Sequence, residues 1–582
     1  MHRIVARRVL TQTLCLNCRN AITEKAVGFI VPFYRHPRLP FPTSQRWRAY
    51  HTPFQSPSTL GLHHDTIYAL SSADGKAGIA VIRISGPSCT QIYHELCPHK
   101  KAPRPRYATV RTLFSPGTQG SEILDSAALV LYFPGPQTVT GEDVLELHVH
   151  GGSATVKAVL SAISKCTADG HIRYAEPGEF TKRAFMNDRL DLAQVEALSE
   201  MLAAETEQQR RAAVRGSSGS LGRTYEDWRR ELLQARAEME ALIDFQEDQH
   251  FDESPASLVG GVSQQIRDIL RSIKVHEMAS QRTELLRNGI QVALLGPPNA
   301  GKSSFMNQVV GREASIVSGE SGTTRDIIEA NLDIRGYLCT FADTAGFRTA
   351  TTSGNINATQ PETGIGAVEE EGIRRARTRA IQSDVIIVLA SVEEYTAGGY
   401  EIRYDLETLK LAAACQQRLV LINKIDAVPQ ADLIPLVHKF QEEVLEGIPG
   451  LGNVAPTLIS CKEALNQGSD RQDPGGVRLV TDQLILAFHN MTSLPASLQD
   501  LHGVTERQRQ LLVQCRNSLE EYVEVTASDE ENEEAALDLD LTMAAEHLRY
   551  AASCLGRITG RGEAGDVEEI LGVIFEKFCV GK

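Results

Sequence analysis

The sequence predicts a multidomain α/β protein: a small N-terminal α+β domain, then a discontinuous α-helical bundle carrying an inserted, doubly wound P-loop domain. Three observations predict it. Strand-like and helix-like runs alternate over residues 286–489, the pattern of a mostly parallel sheet covered by helices. Amphipathic helical periodicity flanks that stretch, in residues 188–285 and again in 490–582. A glycine loop, Gly296-Pro297-Pro298-Asn299-Ala300-Gly301-Lys302-Ser303, directly follows the apolar run Val292 to Leu295.

At 582 residues the chain is too long for one core. No run approaches the roughly 18 apolar residues of a membrane span. The 11 cysteines are scattered, and Cys15 with Cys18 is the one close pair. No second pair at ligand spacing follows, so a reducing compartment fits better than a disulfide framework or a zinc site. The formal net charge of −15 argues against a broad basic grip on nucleic acid. If RNA is a substrate, a partner supplies much of the grip.

Residues 1–60 depart from that balance. Arg3, Arg7, Arg8, Arg19, Lys25, Arg35, Arg38, Arg46 and Arg48 face a single acid, Glu24. Arg-rich and acid-poor, the segment has the composition of a mitochondrial targeting sequence. The alternative is a basic tail without an address.

Residues 61–187 read as the α+β domain, with strand-like runs Ile79 to Ile84, Ala128 to Phe133 and Val144 to Val149 and a helical patch Thr155 to Ser164. After Asp188 the period shifts toward four. Leu192, Val195, Leu198 and Leu202 share one helix face, Leu232, Met239, Leu242 and Phe245 a second, and Ile266, Ile269 and Ile273 a third. The pattern returns in Leu511 to Val525 and Leu541 to Leu555, so one bundle is expected to be interrupted by the insertion. An acidic tract, Asp529 to Asp540, separates those last two helices and reads as a solvated loop, or else as a site for a basic partner.

Within the insertion, strands are expected at Gln291 to Leu295, Ile327 to Ile334, Cys339 to Ala342, Asp384 to Leu389, Leu419 to Ile422 and Thr457 to Ile459. Gly296 and Gly301 permit backbone angles that let successive N–H groups curl around a phosphate. Lys302 adds a point charge at the β- and γ-phosphates, and Ser303 offers a hydroxyl to Mg²⁺. Four more stretches follow in order. Gly322-Thr323-Thr324-Arg325-Asp326 supplies a second Mg²⁺ hydroxyl, assigned to Thr324. Asp343-Thr344-Ala345-Gly346 places a carboxylate near the metal and a flexible glycine beside the γ-phosphate. Asn423-Lys424-Ile425-Asp426 provides a carboxylate that accepts from guanine N1 and the exocyclic amine, which adenine does not offer. Ser460-Cys461-Lys462 fits the last base-contacting loop. Together these indicate a Ras-like P-loop GTPase domain. The expected nucleotide contacts are Asn299, Ala300, Gly301, Lys302, Ser303, Ser304, Ser318, Thr323, Thr324, Asp343, Gly346, Asn423, Lys424, Asp426, Ser460, Cys461 and Lys462. Phe347 stands where a signalling GTPase has its water-orienting glutamine, so the water must be positioned from elsewhere.

Beyond these motifs the chain resembles the MnmE-type or TrmE-type tRNA-modification GTPases of bacteria and mitochondria. The resemblance runs from about Thr66 to Lys582. It rests on Val81-Ile82-Arg83-Ile84-Ser85-Gly86, Thr140-Gly141-Glu142-Asp143, His148-Val149-His150-Gly151-Gly152, Pro177-Gly178-Glu179-Phe180, Asn187-Asp188-Arg189-Leu190-Asp191-Leu192-Ala193-Gln194 and Phe578-Cys579-Val580-Gly581-Lys582. The resemblance implies a K⁺ ion held by Asn299, Ser318, Glu320 and Thr323 when two GTPase domains meet, stabilising charge between the β- and γ-phosphates. It implies that Glu369, ahead of Gly372-Ile373, orients the water; Glu370 and Glu371 are adjacent alternatives, and the stretch from Arg348 to Gly366 is longer than the family pattern. It implies an N-terminal domain that forms a homodimer and binds 5-formyl- or methylene-tetrahydrofolate through Arg83, Glu146, Arg189 and Lys582. Cys579 is either a functional thiol near the folate or a structural cysteine.

The implied activity is GTP hydrolysis coupled, with tRNA and an FAD-dependent subunit of MnmG/GidA type, to a carboxymethylaminomethyl- or taurinomethyl-type modification of the wobble uridine. The implied location is the mitochondrial matrix. The alternative is a GTP-dependent assembly switch such as a ribosome-maturation GTPase, for which a basic RNA-binding module would be expected.

Overall fold

The computed structural model describes residues 65–118, 120–244, 255–312, 314–316, 329–343, 377–378, 380–394, 399–465, 473, 475–526, 540–561, 578 and 581. The first domain is a six-stranded sheet in the order β3-β4-β5-β2-β1-β6. Its strands are β1 (Thr66–Leu70), β2 (Ile79–Ser85), β3 (Thr109–Phe114), β4 (Ile123–Phe133), β5 (Val144–His150) and β6 (Ile172–Tyr174). Alternation along the strands gives the sheet two different faces. Ile82, Ile84, Leu145, Leu147 and Val149 turn to a core shared with helices α1 (Cys89–Leu96) and α2 (Ser153–Ile163). The other face carries Arg83 and Glu146, which stand directly opposite one another in the antiparallel β2–β5 register. Helix α3 (Glu179–Met186) covers part of that face, setting Phe180 against Ile67 and Ala69.

Four helices follow: α4 (Leu192–Ala203), α5 (Glu207–Gly216), α6 (Ser220–Asp244) and α7 (Pro255–Asn288). The first two start with capping boxes, Asp191 with Gln194 and Thr206 with Gln209, which satisfy otherwise orphaned N–H groups. Helix α7 runs to Asn288, and Gly289, at φ 83°, makes the switch from helix to strand.

The next unit is a sheet in the order β14-β13-β11-β7-β10-β9-β8, with β12 paired to β11. These are β7 (Ile290–Leu295), β8 (Ala314–Ile316), β9 (Glu329–Ile334), β10 (Tyr337–Asp343), β11 (Val385–Glu394), β12 (Tyr400–Arg403), β13 (Gln417–Asn423) and β14 (Thr457–Leu458). Strands β10, β7, β11, β13 and β14 are parallel. Helices α8 (Lys302–Arg312), α9 (Leu406–Ala414), α10 (Gln430–Phe440) and α11 (Val477–Thr492) accompany them. Central strand β7 is buried on both faces: Val292 and Leu294 join one core, Ala293 and Leu295 the other. That double burial is why parallel strands read as unbroken apolar runs.

Helices α12 (Glu506–Thr526) and α13 (Leu541–Thr559) complete the bundle. Leu232, Met239, Ile266 and Ile273 from before the inserted sheet share one core with Leu512, Leu519, Leu548 and Leu555 from after it. Each such side chain contributes roughly 2 kcal/mol by leaving water. Among the described residues no helix is long and apolar enough to cross a membrane.

Candidate functional site

The parallel strands deliver their loops to one edge of the sheet, and the glycine loop lies there between β7 and α8. Gly296 and Gly301 have φ of 142° and 97°. A Cβ at Gly296 would lie 2.1 Å from the Leu389 carbonyl oxygen, and one at Gly301 would lie 2.2 Å from Asn423 Nδ2. Both positions therefore need glycine for conformation and for space. Asn299 adopts φ 63° between them, a left-handed conformation that asparagine tolerates better than most residues. Lys302 Nζ donates to the carbonyls of Gly296 at 2.7 Å and Pro297 at 3.0 Å, which holds the ammonium within the loop. Ala300 is buried, while Ser303 and Ser304 are exposed on the first turn of α8.

The residues expected from the sequence to contact the base converge on the same edge. Asn423 ends β13, where it is 2% exposed. Its Nδ2 donates to the Ala300 carbonyl at 2.8 Å and its Oδ1 accepts from the Cys461 N–H at 3.2 Å. Ser460 Oγ donates to Asp426 Oδ1 at 2.7 Å, fixing the carboxylate, and Lys462 Nζ stands 3.7 Å from the other oxygen. Lys424, at φ 64°, lies with its Nζ 3.7 Å from Glu393. Burial pushes the Cys461 thiol up to about 11, so it stays neutral and serves through its backbone N–H. Asp343 ends β10 opposite Leu294 of β7, which brings its backbone to the loop edge. Ser318, Glu320, Thr323, Thr324, Gly346 and Glu369 lie outside the described residues, as do Phe347, Glu370 and Glu371.

A second constellation occupies the open face of the N-terminal sheet. Arg83 Nε donates to Glu146 Oε1 at 3.0 Å, and the guanidinium sits 5.9 Å from the centre of the Phe180 ring. Glu146 and Arg189 line a cavity of about 330 Å³ together with Arg106, Phe133 and Thr138. Arg189 Nε donates to the Thr138 carbonyl at 3.0 Å. The end of the chain comes back to this region. Phe578 packs against Leu192 and Val195 just beyond Arg189, and Ser71 Oγ donates to the Gly581 carbonyl at 2.8 Å. Gly581 has φ 96°, and a Cβ there would lie 2.0 Å from the Leu70 carbonyl oxygen. Cys579 and Lys582 lie outside the described residues.

Sequence reasoning gave no role to the residues that hold this second site in shape. Arg183, nearly buried, bonds Asp65 at 2.9 Å, Glu142 at 3.0 Å and Glu179 at 3.1 Å. Ser85 Oγ donates to Glu142 at 2.7 Å, and Asn187 Nδ2 donates to the Thr140 carbonyl at 2.7 Å. The Thr140-Gly141-Glu142-Asp143 and Pro177-Gly178-Glu179-Phe180 stretches are thus joined by one buried ionic network. The i,i+4 spacing of Glu179 and Arg183 was its one local signal.

Comparison with known proteins places this geometry. Residues 66–189 match the family described as GTP-binding protein TrmE N-terminus, and residues 192–579 match the MnmE helical domain. The tRNA modification GTPase MnmE of Parvibaculum lavamentivorans is 38% identical over 520 residues, covering 89% of this chain and 100% of that one. The mitochondrial 5-taurinomethyluridine tRNA synthase subunit GTPB3 of Danio rerio is 36% identical, covering 89% of this chain and 93% of its own. Its Homo sapiens counterpart is 37% identical over 527 residues, covering 89% and 93%. A phosphate loop braced by Asn423, a six-stranded N-terminal sheet followed by a helical bundle, and matches along nearly the whole length lead to one assignment: the chain belongs to the MnmE/TrmE family of tRNA-modification GTPases.

Proposed function

We propose that this chain hydrolyses GTP in order to install an aminomethyl-type group, of the carboxymethylaminomethyl or taurinomethyl class, at C5 of the wobble uridine of mitochondrial tRNAs. It acts in the mitochondrial matrix as a homodimer, with an FAD-dependent subunit of MnmG/GidA type, and residues 1–60 serve as its targeting segment. The observation that supports this reading is the pairing, in one family member, of a phosphate loop braced by Asn423 and the Asp426 loop with a cavity lined by Glu146 and Arg189 on the N-terminal sheet.

At the first site the N–H groups from Asn299 to Ser304 cradle the phosphates, and Lys302 neutralises them. Asp426, oriented by Ser460, reads guanine. Ser303, Thr324 and Asp343 are the residues that would hold Mg²⁺, whose charge offsets that of the phosphates. Asn299, Ser318, Glu320 and Thr323 would hold K⁺, which supplies positive charge where an arginine finger does in other GTPases. The left-handed turn at Asn299 suits a loop that presents polar groups outward. Glu369 orients the attacking water, the task that Phe347 has no polar group to perform.

At the second site the donor set suits a tetrahydrofolate. Glu146 accepts from pterin N–H groups, while Arg83, Arg189 and Lys582 meet its anionic and carbonyl oxygens. The folate supplies a one-carbon unit when bound. Cys579 serves as a functional thiol toward the folate or else as a structural cysteine.

Mass spectrometry of mitochondrial tRNA wobble nucleosides, with and without the protein, tests the function. Loss of the C5 modification on removal is expected; an unchanged nucleoside profile would refute it. Calorimetric titration of the dimer with tetrahydrofolate separates this reading from an assembly switch, which would show no saturable binding.

A further inference from the structure

The groove between α6 and α13 holds a cluster of arginines that neither site uses. Arg229 and Leu233 lie one turn apart on α6, and Arg549, Ser553 and Gly556 recur at helical spacing on α13. With Arg561 just past the Gly560 cap, they line a cavity of about 240 Å³. Ala552 and Gly556 are buried, so the guanidiniums rim a floor of small groups. A compact anion can enter such a notch without displacing a large side chain.

Glu226 stands 3.1 Å from Arg229 and 3.6 Å from Arg561, and Glu546 stands 2.9 Å from Arg549. Three guanidiniums thus share two carboxylates. Arg223, exposed on the neighbouring turn of α6, adds a fourth positive charge, and the Asp191 carboxylate feels both it and Arg561, which leaves four guanidiniums against three acids. Arg229 and Arg549 each keep an i,i+3 acid, and Arg561 is the guanidinium that adds to the balance. On a chain of formal net charge −15, a local excess of arginine marks a surface for an anionic partner. Guanidinium forks match phosphate oxygens in geometry as well as charge.

The notch also lies beside the second site. A Cβ at Gly560 would come within 2.6 Å of the Phe185 ring and 3.2 Å of Leu192. The end of α13 therefore packs on the α3–α4 corner that contains Arg189.

We propose that this notch binds a backbone phosphate of the tRNA, seating the anticodon arm so that its wobble nucleotide reaches the cavity beside Arg189. The proposal rests on the tRNA-modification reading above. It also reconciles an acidic chain with an RNA substrate: binding is confined to one small cationic recess, and the partner subunit supplies the remainder.

The test is fluorescence anisotropy of a labelled tRNA anticodon stem-loop with the full chain across a KCl series. Arg229→Gln/Arg549→Gln is compared with Arg229→Lys/Arg549→Lys. The glutamine pair should weaken binding by about tenfold and lower the log–log salt slope by roughly 0.7 for each phosphate it no longer neutralises. The lysine pair should keep the slope and lose part of the affinity. GTP turnover and folate affinity should stay at wild-type values in both. A glutamine pair with wild-type RNA affinity and slope would overturn the proposal. So would unchanged RNA binding with failed capture of the flavoprotein subunit, which would assign the notch to a protein. Wild-type protein that fails to bind the RNA both alone and with the flavoprotein subunit present would bring down the tRNA reading together with the notch. Wild type that binds and modifies RNA beside equally competent variants would bring down the notch alone.

Discussion

Asn423 Nδ2 donates to the Ala300 carbonyl at 2.8 Å while Oδ1 of the same amide accepts from Cys461 N–H at 3.2 Å. One buried side chain therefore joins the phosphate loop to both base-reading loops. Asn423→Ala strands these buried partners at a cost of about 1–3 kcal/mol. GTP and GDP affinity should fall together by roughly ten- to a hundredfold, as read by titration with a fluorescent GDP analogue. Unchanged affinity would mean the loops hold their positions without the amide.

The cation role proposed for Asn299 would make GTP turnover depend on the alkali ion. Turnover should be faster in K⁺ than in Na⁺ at matched ionic strength, and equal rates would contradict that role. Glu369→Ala should lower turnover by roughly a hundredfold with little change in nucleotide affinity. A preserved rate would move the water-orienting role to Glu370 or Glu371.

Arg183 is the shared partner of three acids, Asp65, Glu142 and Glu179. Arg173 also pairs with Asp65 and Glu179, so removing Arg183 leaves Glu142 without its guanidinium, at a cost of up to about 3 kcal/mol. Arg183→Met should lower the urea midpoint of the N-terminal domain by a corresponding margin and weaken folate binding with it. GTP turnover is read as the control, because the P-loop sheet has its own cores.

Burial holds the His276 imidazole down to about 4, with the Tyr225 hydroxyl 3.2 Å from Nδ1. Its folded pKa lies below the ordinary 6.5, so its contribution to stability is complete above pH 6.5 and is lost as pH falls toward 4. His276→Phe should flatten the acid limb of a stability–pH profile. His502, also held down to about 4 chiefly by burial, keeps part of the slope. An identical limb in the variant would show that His276 titrates in the folded protein as it does in the unfolded chain.

At the chain terminus, Gly581→Ala places a Cβ 2.0 Å from the Leu70 carbonyl oxygen at φ 96°. The tail must then leave its seat on β1. Folate affinity should drop about tenfold or more while K⁺-stimulated GTP turnover is retained. Wild-type folate affinity would show that the terminus takes no part in the site.

How much of this was readable in the residues depends on where each element hides its apolar surface. Strands β7, β11 and β13 are buried on both faces, and their unbroken apolar runs announce them. Helix α5 was not legible, because it buries only Ala212, Ala213 and Gly216 and shows no apolar stripe. Hairpin strand β12 is four residues long at the sheet margin, with Ile402 its one buried side chain. The phosphate loop was plain because its chemistry is contiguous. The Arg183 network was not, because Asp65 and Arg183 are 118 residues apart and nothing local links them.

The bond from Ser71 to Gly581 joins residues 510 positions apart. During synthesis the strands of the first sheet can pair as soon as they leave the ribosome, yet the contact at the end of β1 forms only once Gly581 has been made, so the first strand of the fold receives one of its last neighbours after the GTPase domain and the bundle helices are complete.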